Sequence, residues 1–390
     1  MNGSEECFDV VVVGGRCAGA ATGLLLARAG LRVLVAERSA QGSDTLSGHM
    51  IKPDGVGRLA AWGVLPDLLA SGCPPVTGAE FTLDGRREPR PEPVPGALPP
   101  MAPRRTILDR LLQQHACDAG AHVRHRSTFR GWRAGAVSLD GGRQVRTRLL
   151  IGADGRRSAV ASAVGAPYTD RRPGRSCAWY GYWDGAALTG LRAELRPGVF
   201  AGAFPTHGEQ VLAFVQLPVT GWRHDHGEQD YHAGLRRCPT IASALAGARL
   251  PGRLLGAKDL PTYFRQAAGT GWALVGDAAH HKDPLAARGI ADAFLGAQLL
   301  AEHVLRGWDH DFDQALRCYA ADLIRLLAPT AELNDQLAGL DQPTTRTRAA
   351  LHALWAAEHQ IATGPPAARG RRTRQHRPSG STVNRPGEPR

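Results

Sequence analysis

Three short loops contain the residues of this chain with the clearest chemical potential. They read Gly14-Gly15-Arg16-Cys17-Ala18-Gly19, Gly152-Ala153-Asp154-Gly155 and Gly276-Asp277-Ala278-Ala279. Each loop follows an apolar, strand-like run and precedes a helix-like run. Glycine turns of this kind let the backbone approach a phosphate, and the free N–H groups of the next helix attract its charge. Three such loops indicate one dinucleotide bound along its whole length, and therefore redox chemistry.

The first loop has the surroundings that a dinucleotide site requires. Residues 8–13 predict a buried strand, residues 18–29 a helix with small residues on one side, and residues 31–36 a second buried strand. Glu37 closes that second strand, where an acidic side chain can accept hydrogen bonds from the adenosine ribose. A carboxylate at this position repels a ribose 2′-phosphate, so the loop favours FAD or NAD over NADP.

Arg16 stands where the fingerprint G-x-G-x-x-G has its middle glycine. Its Cβ hinders the closest approach of the backbone to phosphate, and Gly15 is the residue that would take over this role. Two interpretations of Arg16 remain open at this stage. Its guanidinium pairs with a phosphate oxygen, or it is a surface arginine in a chain rich in arginine.

The second and third loops extend into two longer segments. Residues 152–160 read G-A-D-G-R-R-S-A-V, and residues 276–284 read G-D-A-A-H-H-K-D-P. With the glycine-rich loop before them, they make the chain resemble the FAD-dependent monooxygenases of the aromatic-hydroxylase type over about residues 8–330. These are the class A flavoprotein monooxygenases, which are related to the geranylgeranyl reductases.

The resemblance implies roles for individual residues. Asp277 would bond the ribityl chain of FAD, Pro284 would lie beside the isoalloxazine ring, and backbone N–H groups near Gly289 would face flavin N1 and C2=O. Asp154 would touch both FAD and the nicotinamide donor, and Arg105 would lean over the cofactor. The full predicted cofactor set is Gly14, Gly15, Arg16, Ala18, Gly19, Glu37, Arg38, Arg105, Asp154, Asp277, Pro284 and Gly289. After Pro284 the chain departs from the family's glycine pattern, which predicts a differently shaped loop.

The resemblance also implies an activity. NADH or NADPH would reduce FAD, and a flavin C4a-hydroperoxide would transfer oxygen to an aromatic or other electron-rich small molecule. The alternatives are a flavin reductase or dehydrogenase of the geranylgeranyl-reductase type and a non-catalytic flavin-binding protein. The Trp-x-Trp-x-Ile-Pro segment of flavin halogenases is absent. No general base can be chosen from the sequence, so the catalytic residues stay unknown.

The order of elements predicts an α/β fold: a Rossmann-like FAD-binding domain, an inserted antiparallel β-sheet substrate domain and C-terminal helices. The FAD-binding domain is expected to be discontinuous. Predicted boundaries are 1–75, 101–165 and 266–330 for the FAD-binding domain, 76–100 and 166–265 for the substrate domain, 331–362 for a C-terminal helical cap and 363–390 for a disordered basic tail.

Residues 179–183, Trp-Tyr-Gly-Tyr-Trp, give the best indication of a substrate site. On a strand, Tyr180 and Tyr182 face one way and the two tryptophans face the other. One face would line a pocket for a flat, apolar substrate, although ordinary sheet packing explains the run as well. His49 lies in a segment that passes near the flavin in the family, and it is a further pocket candidate.

Composition narrows the class of protein. The chain has 390 residues and a net charge of +11, and seven arginines against one glutamate in residues 369–390 contribute +6 of that charge. Because more than half of the net charge lies in this short terminal segment, we do not expect a nucleic acid to be a partner of the chain. No apolar run is long enough for a membrane span, and we expect no leader before the first strand. The seven cysteines include no C-x-x-C pair, which indicates free thiols and a cytoplasmic protein. No histidine cluster has metal-ligand spacing, and the oligomeric state is unknown.

Overall fold

The computed structural model describes residues 6–133, 135–221 and 226–363. It has the mixed α/β architecture that the sequence predicts, with a Rossmann-like layer, a separate antiparallel layer and helices at the C-terminal end. The predicted basic tail at 363–390 lies outside the described residues except for Thr363.

Eighteen strands and ten helices are defined within the described ranges. The strands are β1 (Glu6–Val13), β2 (Val33–Ala36), β3 (Ala79–Leu83), β4 (Arg86–Arg87), β5 (His122–Arg124), β6 (Phe129–Arg133), β7 (Ala136–Leu139), β8 (Gln144–Gly152), β9 (Tyr168–Arg172), β10 (Ser176–Trp183), β11 (Leu191–Arg196), β12 (Val199–Pro205), β13 (Val211–Pro218), β14 (Leu255–Ala257), β15 (Thr262–Arg265), β16 (Ala268–Gly269), β17 (Trp272–Leu274) and β18 (His280–His281). The helices are α1 (Cys17–Arg28), α2 (Pro53–Ala61), α3 (Leu65–Ala70), α4 (Arg105–Asp118), α5 (Ala159–Ala163), α6 (Gly227–Arg236), α7 (Pro239–Ala244), α8 (Gly289–Gly307), α9 (Phe312–Ala338) and α10 (Thr344–Thr363).

The first sheet has the strand order β16-β17-β8-β1-β2-β5, and the hairpin β6–β7 joins it through β8. Strands β1, β2, β5, β8 and β17 run parallel to their neighbours in it. Residues 10–13 of β1 are at most 5% exposed, as expected for a strand covered on both faces. Parallel strands end at one edge, and the three glycine loops all leave from that edge.

Helix α1 packs closely on the first sheet because its contact side is made of small residues. A Cβ built on Gly23 would lie only 2.7 Å from the Cγ2 of Val35 in β2. Ala20 and Ala21 are fully buried in the same core. This close packing brings the N-terminus of α1 to the strand edge where the first loop turns.

The second sheet has the order β14-β10-β13-β12-β11-β3-β4. The antiparallel sheet predicted for residues 166–265 is present, with β11, β12 and β13 as antiparallel neighbours. One face of this sheet packs on α6 and α7, where Trp179 and Tyr231 are buried. The opposite face packs on α9 and α10.

Helix α9 crosses the boundary predicted at residues 330/331. Its first part, including Tyr319 and Leu327, packs in the core of the first sheet, and Leu337 near its end packs with the second sheet. The helix continues through Pro329, and its buried positions keep their helical spacing on both sides. The predicted boundary therefore falls inside one element. Within the described ranges, no helix is both long and apolar enough to cross a bilayer.

Candidate functional site

The three glycine loops meet at the carboxyl ends of β1, β8 and β17. A Cβ built on Gly14 would lie 2.4 Å from the carbonyl oxygen of Ala153, and one on Gly276 would lie 2.8 Å from the Cβ of Ala18. Gly14 also has a φ of +101°, a backbone conformation that residues other than glycine rarely adopt. The loops are thus in mutual contact, and glycine is required where they touch.

The N-terminus of α1 leaves its backbone donors available to an anion. Arg16 occupies the N-cap position without a side-chain capping bond, and the first turn contains no acidic residue. A helix start of this kind presents a partial positive charge to a phosphate. Gly19 lies one turn in, and a Cβ there would be 1.8 Å from the carbonyl oxygen of Gly14.

Glu37 is held in place by the backbone of two loops. Its carboxylate accepts hydrogen bonds from the N–H of Gly15 at 2.7 Å and from the N–H of Ser39 at 2.8 Å. Gln113 completes the arrangement by donating to the carbonyl oxygen of Gly15 at 2.7 Å. The carboxylate oxygens keep further lone pairs, so Glu37 remains able to accept bonds from a ribose. Arg38, the next predicted residue, is exposed.

A small open cleft lies beside this carboxylate. Its lining residues come from the first loop, from the segment after β2 and from α4. They are Arg16, Glu37, Ala40, Gly42, Ser43, Thr106, Asp109, Arg110 and Gln113.

Arg16 and Arg105 converge on Asp109, a buried carboxylate that the sequence analysis missed. Arg105 donates to both oxygens of Asp109 at 3.0 Å, and Arg16 lies 3.5 Å from it. Arg16 also donates to the carbonyl oxygen of Asp44 at 3.2 Å, so it is not a free surface arginine. The i,i+4 spacing of Arg105 and Asp109 on α4 was the available signal for this pair.

The charge of Arg105 is secured by its surroundings. Burial alone would lower its pKa, but neighbouring acidic groups, including Asp109 and Asp277, raise it. Burial, with the Asp109 carboxylate in addition, raises the pKa of the Cys17 thiol. Cys17 is therefore an uncharged filler of the loop, and Arg105 is a permanent cation beside it.

The two other predicted aspartates, Asp154 and Asp277, differ in the hydrogen bonds that they make. Asp154 stabilises its own loop, because its carboxylate accepts from the Ala159 N–H at 2.6 Å and from the Ser158 hydroxyl at 2.5 Å. Asp277 is half-buried, and its backbone oxygen accepts from the hydroxyl of Tyr263 at 2.6 Å. The role of Asp154 visible here is to shape the second loop.

The segment that the resemblance assigns to the flavin ring comprises residues 283–289 and is called the ring loop below. Pro284 and Gly289 are exposed in it, while its other side chains turn inward. Helix α8 begins at Gly289 and its N-cap has no side-chain capping bond. Ala287 has a φ of +51°, a left-handed conformation that costs a non-glycine residue roughly 1 kcal/mol. Where the family has glycines, this chain therefore has a strained turn at Ala287.

The ring loop lies across the inward face of the second sheet. Leu285 and Ala286 pack in one cluster with Phe200 of β12. Ala287 packs against a second cluster that includes Tyr180 and Phe204. The expected ring position and the tyrosine-bearing face of the sheet are therefore neighbours.

The three pocket candidates from the sequence are brought together on that face. His49 Nε2 lies 2.8 Å from the hydroxyl of Tyr182, and the two rings are stacked with centroids 5.7 Å apart. The guanidinium of Arg104 lies 3.5 Å from the centre of the Tyr182 ring. The hydroxyl of Tyr180 accepts from the N–H of Ser47 at 3.0 Å. Polar groups thus gather at one end of an otherwise apolar surface.

The two tryptophans of the same strand point to the other side. Trp179 is buried against α6 and α7, and Trp183 donates to the hydroxyl of Tyr231 at 2.9 Å. The predicted alternation along β10 is therefore present in the structure. The tryptophans serve the packing of the sheet, and the tyrosines face the ring loop.

A buried cluster of charges supports the start of α8. Lys282 and Arg288 both pair with Asp292, and Arg288 also contacts Asp54 of α2 at 3.0 Å. The side chain of Arg288 is only 1% exposed. Burial alone would raise the pKa of Asp292, but Lys282 and Arg288 lower it to about 2. The sequence analysis did not find this cluster.

Two buried histidines predict that the protein loses stability in mild acid. Burial lowers the pKa of His49 and of His280 to about 3, from an ordinary 6.5. Because the unfolded chain binds these protons first, stability falls as pH drops below 6.5. Asp283, whose pKa burial raises to about 6, offsets part of this loss.

We expect a net loss of about 2 kcal/mol in the free energy of unfolding between pH 7.5 and pH 5.5. Urea unfolding at the two pH values measures it. A His280→Gln variant should show a smaller loss, because one of the rings whose pKa burial lowers is gone. Equal or greater stability at pH 5.5 would contradict the burial of these neutral rings.

Comparison with known proteins agrees with this geometry. The sequence matches the family described as FAD binding domain over residues 7–322. The 6-methylpretetramide 4-monooxygenase of Streptomyces rimosus is 29% identical over 332 residues, which cover 76% of this chain and 76% of that protein. The digeranylgeranylglycerophospholipid reductase of Methanothrix thermoacetophila is 30% identical over 322 residues, covering 76% of this chain and 77% of that protein.

Solved structures show the same fold. Pseudomonas aeruginosa PqsL, in its complex with 2-aminobenzoylacetate, is similar with a TM-score of 0.74 at 20% identity. The similarity covers 89% of this chain and 100% of that one. The family match spans all three glycine loops and the ring loop, and the resemblance inferred from the motifs is confirmed. The chain belongs to the FAD-binding-domain family of flavoproteins.

Proposed function

We propose that this protein is an NAD(P)H-dependent flavin monooxygenase that hydroxylates an aromatic or polycyclic small molecule. The observation that supports this most directly is the position of the ring loop against the face of β10 that bears Tyr180 and Tyr182. A planar substrate bound on that face would lie beside the flavin. Among the relatives, one is named for oxidation of 6-methylpretetramide, and a similar fold binds 2-aminobenzoylacetate.

The residues of the chain fit FAD. The uncapped start of α1 suits the diphosphate, Glu37 suits the adenosine ribose, and Arg105 supplies a permanent cation beside the first loop. The uncapped start of α8 at Gly289 offers donors to the pyrimidine end of the ring, where reduced flavin is negative. When bound, FAD supplies hydride acceptance from NADH or NADPH and activation of oxygen.

The protein's own contribution is to bind, orient and exclude water. The apolar surface with Tyr180 and Phe204 suits a flat ring, and the pair His49–Tyr182 offers hydrogen bonds to a hydroxyl or carbonyl of the substrate. His49 is neutral at physiological pH because burial lowers its pKa to about 3. It therefore acts as a hydrogen-bonding partner and not as a charged group.

The test is oxygen consumption by the purified protein with NADH or NADPH and candidate aromatic substrates. We expect an aromatic or polycyclic substrate to stimulate oxygen uptake and to gain one oxygen atom, seen by mass spectrometry. The Tyr182→Phe variant should keep FAD and lose substrate affinity, because it removes the hydroxyl that pairs with His49 on the proposed substrate face. NAD(P)H oxidation without any oxygenated product from a broad aromatic panel would contradict the proposal.

A second candidate is a flavin-dependent reductase. The identity of 30% to a digeranylgeranylglycerophospholipid reductase favours it over other functions of the fold. Anaerobic reduction of an isoprenoid double bond, without oxygen uptake, would identify this activity. A yellow protein that neither NADH nor NADPH reduces would instead indicate a non-catalytic flavin-binding protein.

We also propose a cytoplasmic location. All seven cysteines are free in the structure, and four of them are buried. Burial raises the pKa of the Cys73 thiol to about 12 and that of the Cys238 thiol likewise to about 12, so these side chains are inert packing groups. Free thiols of this kind suit a reducing compartment.

A further inference from the structure

A fully buried polar cluster connects the ring loop with the second sheet and with α9. Its members are Asp283, Ser176 of β10, Gln216 of β13 and Asn334 of α9, called here the Asp283 cluster. Each of these side chains is at most 2% exposed. Polar groups at this depth are as a rule hydrogen-bonded.

Three donors converge on the carboxylate of Asp283. The hydroxyl of Ser176 donates to Oδ2, and the amide of Gln216 donates to Oδ1 at 2.5 Å. The N–H of Leu285 in the ring loop donates to Oδ1 at 3.1 Å. Gln216 also donates to the Ser176 hydroxyl at 2.6 Å, which closes a ring of bonds between the two strands and the loop.

Asn334 fixes the same loop from the side of α9. Its amide oxygen accepts from the N–H of Ala286 at 2.9 Å, and its amide nitrogen donates to the backbone oxygen of Asp283 at 2.9 Å. Residues 283–286 are therefore bonded on both sides, to a strand pair and to a helix. Pro284, which belongs to this stretch, is left exposed.

The Asp283 cluster shares a sheet face with the tyrosines of the proposed substrate site. Side chains along β10 alternate, so Ser176, Tyr180 and Tyr182 point to the same side. Ala178 of β10 lies on this side as well and is opposite Gln216 of β13, while Tyr182 is opposite Leu212. One end of the face thus holds the ring loop and the other end carries the substrate candidates.

Packing alone does not account for an aspartate in this place. An ionised carboxylate is costly to bury, and an apolar group of similar size packs such an interior at least as well. The carboxylate is instead saturated by donors from the loop and from the substrate sheet. This arrangement controls position more than it adds stability.

We propose that Asp283 is a positioning residue for the flavin, and that its ionised carboxylate holds the ring loop against the substrate sheet so that Pro284 and the start of α8 meet the ring correctly. The inference rests on the proposed FAD site. When Asp283 loses its charge, the ring loop is held less tightly, because the bond from the Leu285 N–H is then no longer charge-assisted.

The surroundings of Asp283 make its charge responsive to pH. Burial raises its pKa to about 6, although the bonds from Ser176, Leu285 and Gln216 oppose the rise. On α9, the Asp335 carboxylate adds to the rise and itself pairs with Arg172 at 3.3 Å.

Two neighbours in the chain complete the surroundings. Cys177 follows Ser176 on β10 but packs on the other face of the sheet, and its thiol stays neutral because burial raises its pKa to about 12. Lys282 is adjacent but is paired with Asp292. The carboxyl of Asp283 therefore takes up a proton as pH falls through about 6.

The experiment uses FAD-loaded full-length protein between pH 5 and pH 7.5. In the wild type we expect a reversible change in the visible flavin band with a midpoint near pH 6, and FAD release roughly three- to tenfold faster at pH 5. Asp283→Asn keeps the shape and cannot ionise, so it should show no transition and should release FAD at the faster rate throughout. Asp335→Asn makes the same charge change outside the cluster, and it should retain the transition at lower pH.

Two results would overturn the inference: an Asp283→Asn protein that titrates like the wild type, or a wild type that binds FAD without a transition. Should Asp283→Asn fail to fold, Gln216→Leu provides the test, because it removes one donor from the carboxylate. Its midpoint should move to higher pH, and an unchanged midpoint would count against the role of Asp283. Failure of the wild type to bind FAD at all is a separate outcome, which overturns the proposed function and this inference with it.

Discussion

Gly19→Ala is expected to weaken FAD binding severely and to lower the free energy of unfolding by roughly 3–5 kcal/mol. The Cβ of the new residue would lie 1.8 Å from the carbonyl oxygen of Gly14 and 3.1 Å from the Cβ of Ala153. Both neighbours belong to the loops that meet around the expected diphosphate. Neither can give way without separating the loops, so affinity for FAD should fall at least about 100-fold, a change equivalent to 2.7 kcal/mol.

Gly57→Ala is the matched control for this change. Gly57 also lies inside a helix, α2, but it is exposed and a Cβ there would meet nothing within 4 Å. Alanine is the better helix former, so this variant should be more stable by roughly 0.5–1 kcal/mol and should bind FAD normally. FAD titration by fluorescence quenching and urea unfolding measure both variants. A Gly19→Ala protein with wild-type affinity would contradict the assigned phosphate site.

Asp292→Ala should destabilise the protein by roughly 3–5 kcal/mol, because it leaves two cations buried without their shared partner. Lys282 is 5% and Arg288 is 1% exposed in their pairs with Asp292. The cluster lies at the start of α8, so FAD affinity should fall as well. Chemical unfolding and FAD titration give the two effects separately.

An exposed pair provides the comparison for this prediction. Asp341 and Arg175 are 3.1 Å apart, with side chains 63% and 36% exposed. Removal of Asp341 should cost less than about 1 kcal/mol, since water and salt screen such pairs. Similar losses for Asp292→Ala and Asp341→Ala would show that the α8 cluster is not shielded from solvent as the structure has it.

Local sequence signals were sufficient for the parts of the site that depend on one loop at a time. The glycine positions and Glu37 follow from strand–turn–helix order, and the structure places them at one strand edge. The alternation of residues 179–183 likewise predicted which side chains share a face. These features depend on backbone geometry, which a short stretch of sequence specifies.

The contacts that required the structure join elements distant in the chain. Asp283 is bonded by Ser176 and Gln216, which are 107 and 67 residues away. Asp54 and Arg288 are separated by 234 residues. Asp109 is the exception, since its spacing from Arg105 on α4 was visible in the sequence. Long-range pairing of polar residues has no local periodicity from which to predict it.

The departure of the ring loop from the family's glycine pattern was visible in the sequence, but its consequence was not. A different loop shape was expected, and the structure has a left-handed turn at Ala287. The bonds from Asp283 and Asn334 hold the loop on both sides just before this turn. Strain at one residue is therefore compensated by tertiary hydrogen bonds.

The central claim is that one FAD molecule spans the three glycine loops with its ring at the ring loop. The most direct measurement is the visible spectrum of the freshly purified protein, followed by titration of the colourless fraction with FAD. We predict a yellow protein whose flavin band shifts when an aromatic ligand is added, because the ring lies beside the tyrosine-bearing face. A protein that is colourless and does not bind added FAD would contradict the account.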